Sequence, residues 1–283
     1  MIYLAVWLRV IKRAPGDPGA PTRLQSAIGF VTNFFDTLGI GSFAPTTALF
    51  RMWRIVPVER IPGTLNVGSS LPAIVQAFIY IVIIEVDAVT LAVLISSAAL
   101  GAWLGAGVVA GWPRRKIQIG MGLALLAASC LLVAVNLQLV PVGGGALSLR
   151  GQPLMLATLG NFILGALMTL GIGLYAPCLI MLSLFGMNPK AVFPIMMGSC
   201  AFLMPIASIR FIREGAYSLR PALGLAIAGV PAVLLAAFVV KSLPLTTLRW
   251  LVTAVVLYTA VTMLAAAFRE PGKSTTEGMP ADK

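Results

Sequence analysis

The segment Thr37-Leu38-Gly39-Ile40-Gly41-Ser42-Phe43-Ala44-Pro45 returns 132 positions later as Thr169-Leu170-Gly171-Ile172-Gly173-Leu174-Tyr175-Ala176-Pro177, with seven of nine residues identical. The register then holds without a gap. Pro57 matches Pro189, Pro62 matches Pro194, Leu71 matches Leu203 and Ile74 matches Ile206. Further on, Val108-Val109 with Pro113 recurs as Val239-Val240 with Pro244, one residue out of register. Such a chain is two copies of one unit, and equivalent segments should occupy equivalent settings in the fold. Both copies lie in strongly apolar stretches, and each is broken by a Gly-Ile-Gly triplet.

Those stretches need an apolar solvent. Hydrophobic residues make up 59% and charged residues 10% of the 283 positions, with a mean hydropathy of +0.98. Soluble domains are near half apolar and a quarter charged, so this chain lacks the polar surface to enclose a core in water. It reads as an all-α polytopic membrane protein. The formal charge of +11 does not indicate nucleic-acid binding, because the basic residues sit in short runs between apolar spans, as topology determinants do. There is no His, which removes the usual ligand for zinc, haem and most catalytic metals, so no metal and no cofactor is expected. Cys130, Cys178 and Cys200 are isolated in apolar runs and fit small packing residues better than a disulfide or Cys-x-x-Cys site.

Residues 1–23 form a unit of their own: an apolar start, then Arg9, Lys12 and Arg13, then a Pro/Gly linker from Ala14 to Pro21. The charges follow the apolar run instead of preceding it, the reverse of a signal peptide. The expectation is an interfacial amphipathic segment anchored by Trp7. Residues 24–140 form the first repeat, 153–268 the second, and 269–283 a polar C-terminal tail.

Eight apolar segments can be drawn, at 24–53, 59–83, 88–111, 117–140, 153–184, 189–212, 219–240 and 248–268. A crossing needs about 20 residues, so the two that carry the Gly-Ile-Gly break are oversized. Each is either one long kinked crossing or a re-entrant hairpin. With a cytoplasmic N-terminus, eight single crossings place eleven Lys and Arg inside and nine outside, whereas two hairpins place sixteen inside and four outside. The positive-inside rule prefers hairpins. The turn Arg114-Arg115-Lys116 corresponds to Leu245-Thr246-Thr247, and Arg51, Arg54 and Arg60 to Ser183, Gly186 and Val192. Turns that are basic in the first half and uncharged at the equivalent place in the second predict two inverted repeats, each a Gly-broken re-entrant hairpin plus three transmembrane helices.

Within a bilayer every backbone amide needs a partner. A break at Gly39-Ile40-Gly41 leaves the amides of Ser42, Phe43 and Ala44 without intrahelical acceptors, and Pro45 suits the first turn of a new helix. Free amides and the positive end of a helix dipole attract an anion. Gly171 and Gly173, with Leu174, Tyr175 and Ala176, repeat the device, and inversion would aim the two half-helix N-termini at each other near the midplane. Polar residues at membrane depth extend the candidate site: Asn33, Asp36 and Thr37 before the first break, Asn66 and Ser69 on the next helix, and Thr169 and Ser199 in the second half. Asp36 is the one acid well inside an apolar run, its counterpart is Met168, and it is the candidate for proton coupling. A structural pairing with an Arg or with backbone amides is the competing role for it.

On Gly39-Ile40-Gly41 with Pro45, Pro57 and Pro62, and Gly171-Ile172-Gly173 with Pro177, Pro189 and Pro194, residues 25–268 resemble the TauE/SafE sulfite exporter family. At both breaks the chain departs from that family's frequent third glycine, with Ser42-Phe43 and Leu174-Tyr175 instead. The resemblance implies a secondary transporter, in the exporting direction, of a small sulfur-containing anion such as sulfite or an organosulfonate. It implies a bacterial cytoplasmic (inner) membrane, with both termini cytoplasmic. Partners would be the anion and the lipid bilayer, and a homodimer is left open. The competing readings are a transporter of another small anion and a non-transporting assembly or scaffold subunit. An intramembrane enzyme lacks support, since no His, no paired intramembrane acids and no nucleophile beside a base are found.

Overall fold

The computed structural model describes residues 2–13, 19–39, 41–105, 144–169 and 173–241, with isolated positions between 119 and 137 and between 250 and 268. The segments expected to span at 117–140 and 248–268 fall largely outside the described residues. So do most of the linker and the 269–283 tail.

The described chain is helical, and its only β-type pairing is a single bridge between Ala146 and Met187. In order, the helices are α1 (Ile2–Arg13), α2 (Arg23–Thr37), α3 (Phe43–Met52), α4 (Ile61–Ile83), α5 (Ala88–Leu100), α6 (Gly151–Met168), α7 (Tyr175–Leu184), α8 (Pro189–Arg213) and α9 (Leu219–Lys241). Among the described residues, α4, α6, α8 and α9 are long and apolar enough to cross a membrane. Many of the large apolar side chains they carry point outward. Phe78 and Val82 on α4, Met155 and Leu159 on α6, and Ile227 and Phe238 on α9 are all exposed. In water such a surface would drive aggregation; against lipid tails it carries no penalty.

The oversized segments are each two helices. The first gives α2 and α3, parted by Leu38–Ser42, and the second gives α6 and α7. The first intrahelical bond of α3 runs from Thr46 N to Ser42 O, and that of α7 from Cys178 N to Leu174 O, both 3.0 Å. Each position differs by 132, so the two short arms start at equivalent residues.

Loop hydrogen bonds show which ends meet. Ser218 N, just before α9, donates to Thr64 Oγ1 near the start of α4 at 2.9 Å. Gly224 on α9 packs closely on Gln25 at the start of α2. The end of α3 leads through a 3₁₀ turn, Val58–Arg60, into the start of α4. Hence α2 begins and α3 finishes at one end of the bundle. At the other end, Asp87 N donates to Leu147 O at 3.0 Å and Asn188 N to Ala146 O at 2.9 Å. The 144–150 strap thus joins the α4–α5 turn to the α7–α8 turn, next to the start of α6. A 23-residue α4 separates the two ends by about 34 Å.

Helices α4 and α8 pack along each other at the centre, with α9 against α2 and α4, and α5 against α6 and α8. Glycines set the closest crossings. A Cβ on Gly29 of α2 would strike the Gly224 carbonyl of α9 at 2.5 Å, and one on Gly165 of α6 would strike the Ala98 carbonyl of α5. Small residues let helices approach where no hydrophobic effect drives them together. Asn161 Nδ2 adds a polar tie, donating to Leu94 O on α5 at 2.7 Å and to Ser199 Oγ on α8 at 3.1 Å.

The α1 helix departs from expectation. Trp7 does not lie outward as an interfacial anchor. Trp7 and Tyr3 are buried at 3% and 4% exposure, stacked with ring centroids 5.7 Å apart. They sit in an apolar cluster with Val67, Ile212, Tyr217 and Ala222. Tyr3 Oη donates to Val67 O at 2.5 Å. An amphipathic helix hides its apolar face wherever one is offered, and here the bundle offers one.

Candidate functional site

A small cavity lies between the two breaks. Its wall pairs equivalent residues of the two halves: Asp36 with Met168, Gly41 with Gly173, Ser42 with Leu174, and Phe43 with Tyr175. Ser69 and Ala73 of α4 and Cys200 and Met204 of α8 complete it. Those four stand near the middle of their helices, so the cavity is roughly equidistant from the two ends of the bundle.

The first break shows how the backbone is turned. Leu38 N returns to Phe35 O and Gly39 N to Asp36 O at 2.9 Å, closing α2. Gly39 and Gly41 take left-handed φ values of +91° and +80°, which side-chain-bearing residues rarely adopt. The chain then enters α3 at Ser42, and the α3 N-terminus faces the cavity. No side chain caps α7, whose first residues, Leu174 and Tyr175, also line the cavity.

The amides of the first break are not all free, which corrects the sequence expectation. Ser42 N donates to Asp36 Oδ1 across 2.5 Å. The acid of α2 reaches over the break and supplies the negative partner that the start of α3 attracts. The Ser42 and Tyr175 side chains and Gln76 also face this carboxylate, and Tyr175 Oη donates to Gln76 Oε1 at 3.4 Å. Gln76 Nε2 and Ser69 Oγ are buried without a hydrogen-bond partner. A polar atom left unpaired in this way costs stability, and such atoms are where a ligand finds ready donors.

Asp36, Gly41, Ser42, Phe43, Ser69, Gly173 and Tyr175 therefore meet at one cavity. Others named from the sequence do not line it. Asn33 Nδ2 bonds to Gly29 O at 2.7 Å, and Thr37 Oγ1 to Asn33 O at 2.8 Å. Asn66 Nδ2 takes Pro62 O at 2.9 Å, and Thr169 Oγ1 takes Ala166 O at 2.6 Å. Each of these donors is taken up by a carbonyl of its own helix, the usual fate of short polar residues in apolar helices, while Asn66 Oδ1 stays buried without a partner. Ser199 is occupied by Asn161, and Gly39 packs on the Phe193 ring. Ala44 and Ala176 lie in the first turns of α3 and α7, and Gly171 is outside the described residues.

Sequence reasoning missed the sulfur side of the wall. Cys200 Sγ lies 3.5 Å from Met168 Sδ, and Met204 stands one helical turn beyond Cys200. Only the i, i+4 spacing of Cys200 and Met204 on α8 could have suggested it. Among the described residues no cluster of His, Cys, Asp and Glu could hold a metal ion. No family model, curated protein or solved structure matches this chain.

Proposed function

We propose that this protein is a secondary transporter of a small anion, which binds between the α3 and α7 N-termini midway through the membrane. One observation carries the reading: four pairs of residues related by the 132-residue repeat wall a single cavity at the start of both short helices. Broken helices meeting at the repeat interface are how many transporters build a substrate site. The inverted-repeat architecture is part of the reading. It is supported by the hairpin α2–α3 opening at one end of the bundle and α6–α7 at the other, and by α9 packing on α2 as α5 packs on α6.

Among the described residues no Lys or Arg lines the cavity, so dipoles and unpaired donors, Ser69 Oγ among them, supply the attraction for an anion. The motif resemblance points to sulfite or an organosulfonate, exported across a bacterial inner membrane with both termini cytoplasmic. A potential negative inside favours exit of an anion by about 2.3 kcal/mol per charge per 100 mV. Purified protein in liposomes should move labelled sulfite or a sulfonate across the bilayer faster than protein-free vesicles do. Flux of another small anion alone would keep the transporter and replace the substrate; no flux of any small anion would leave the scaffold reading.

A further inference from the structure

We infer that the transported anion binds together with one proton, carried by Asp36, because the Asp36 carboxylate otherwise occupies the place of the anion. The inference rests on the anion site proposed above and adds its co-substrate.

The site has a carboxyl group of its own. Asp36 Oδ1 accepts from Ser42 N at 2.5 Å, the amide that opens α3, a helix of 10 residues. Asp36 is 6% exposed and, among the described residues, is the one ionisable acid or base in the cavity wall besides Tyr175 and Cys200. A second negative charge a few ångströms away, in surroundings of low dielectric and without a cation, is strongly disfavoured while the carboxylate is ionised. A proton on Asp36 removes that repulsion. It also weakens the hold on Ser42 N, since a neutral acid is a poorer acceptor than a carboxylate. The Ser42 amide then becomes available beside Ser69 Oγ, which is 3% exposed and without a partner. Buried Gln76 also faces the Asp36 carboxyl group.

Among the described residues no other group around Asp36 competes for the role. Tyr175 from α7, Tyr80 from α4 and Cys200 from α8, with Cys178 behind it, are the titratable neighbours, and these types are ordinarily uncharged at neutral pH. Helix α9, which runs along α2, carries no titratable side chain between Arg220 and Lys241, and α6 carries none. Arg51, the one on α3, is at the far end from Ser42. The counterpart of Asp36 is Met168, so the second break adds no second acid and the stoichiometry is one. The proton enters onto an Asp36 carboxylate oxygen from the side the anion comes from and leaves with it. Binding of the two is mutually favourable by linkage, and carriage of a monoanion becomes electroneutral.

The test uses full-length protein in detergent and methanesulfonate, whose single charge does not change over the pH range examined. Its affinity, read from anion-dependent thermal stabilisation, should fall by up to about tenfold per pH unit once Asp36 is ionised. Binding in weak buffer should take up one proton per anion, seen with a pH indicator. Asp36→Asn should bind equally at all pH values and take up no proton. The wild-type uptake measurement stands even where the variant does not fold. Binding in the wild type without pH dependence or proton uptake overturns the inference and leaves the anion site standing. No binding at any pH, in wild type and variant alike, overturns both.

Discussion

The phenol of Tyr80 donates to the main-chain carbonyl of Thr37 across 2.8 Å, joining α4 to the last turn of α2. A helix that stops inside a membrane leaves its final carbonyls without donors, and Tyr80 supplies one. Its ring also stacks on Phe193, centroids 5.6 Å apart, and Phe193 in turn lies under Gly39. The first break is therefore held by a tyrosine from one half and a phenylalanine from the other.

Tyr80→Phe keeps the stack and removes only the donor. The unpaired, buried Thr37 carbonyl should cost about 1–3 kcal/mol, visible as a fall of a few degrees in the melting temperature of the purified protein. An unchanged melting temperature would mean that the carbonyl finds another donor.

Gly41 and Gly173 occupy equivalent positions but differ in conformation. Gly41 has a φ of +80°, so Gly41→Val should destabilise the empty protein by about 1–3 kcal/mol. Gly173 does not adopt a left-handed φ, and nothing lies within 4 Å of a Cβ added there. Gly173→Val should leave the melting temperature without anion nearly unchanged while reducing anion-dependent stabilisation. Full stabilisation in Gly173→Val would remove that glycine from the binding site.

The two turns that close the hairpins should face opposite compartments. With native cysteines replaced, Glu59→Cys should react only with a membrane-impermeant maleimide supplied from the cytoplasmic side, and Lys190→Cys only from the other. Labelling of both from one side would contradict the inverted arrangement.

Asp87 lies outside the spans and caps α5, its Oδ2 accepting from Thr90 N and Thr90 Oγ1, each at 2.9 Å. The Thr90 amide first, then the Thr90 hydroxyl, hold its carboxyl below the usual range, with Arg150 adding to the effect. A lowered folded-state value means that the stabilisation is present above the ordinary carboxylate pKa and disappears as pH falls through the lowered one. Asp87→Asn retains a capping oxygen without the titration, so melting temperatures between pH 2.5 and 6 should fall less steeply than in wild type. Identical slopes would assign the acid sensitivity elsewhere.

The breaks were legible because glycine pairs and a following proline act locally, within a few residues. The partner of Asp36 was not, since its bond to Ser42 depends on how the chain turns through Gly39 and Gly41. Asn33, Thr37, Asn66 and Thr169 were marked as ligands on polarity at membrane depth. Their own helix carbonyls, three or four residues back, took them first. Cys200 and Met204 passed as packing residues, and nothing in their own stretch of chain discloses that Met168 stands opposite. Trp7 was read as an anchor in lipid headgroups because an amphipathic aromatic suits a headgroup layer and a protein groove equally well.

That groove has a consequence for the order of assembly. Tyr3 and Trp7 settle against Val67, Ile212, Tyr217 and Ala222, most of which are made some two hundred residues after them. Contacts so distant in sequence form late. Helix α1 is thus seated later than its place in the chain suggests, and its burial marks a chain whose core helices have already come together.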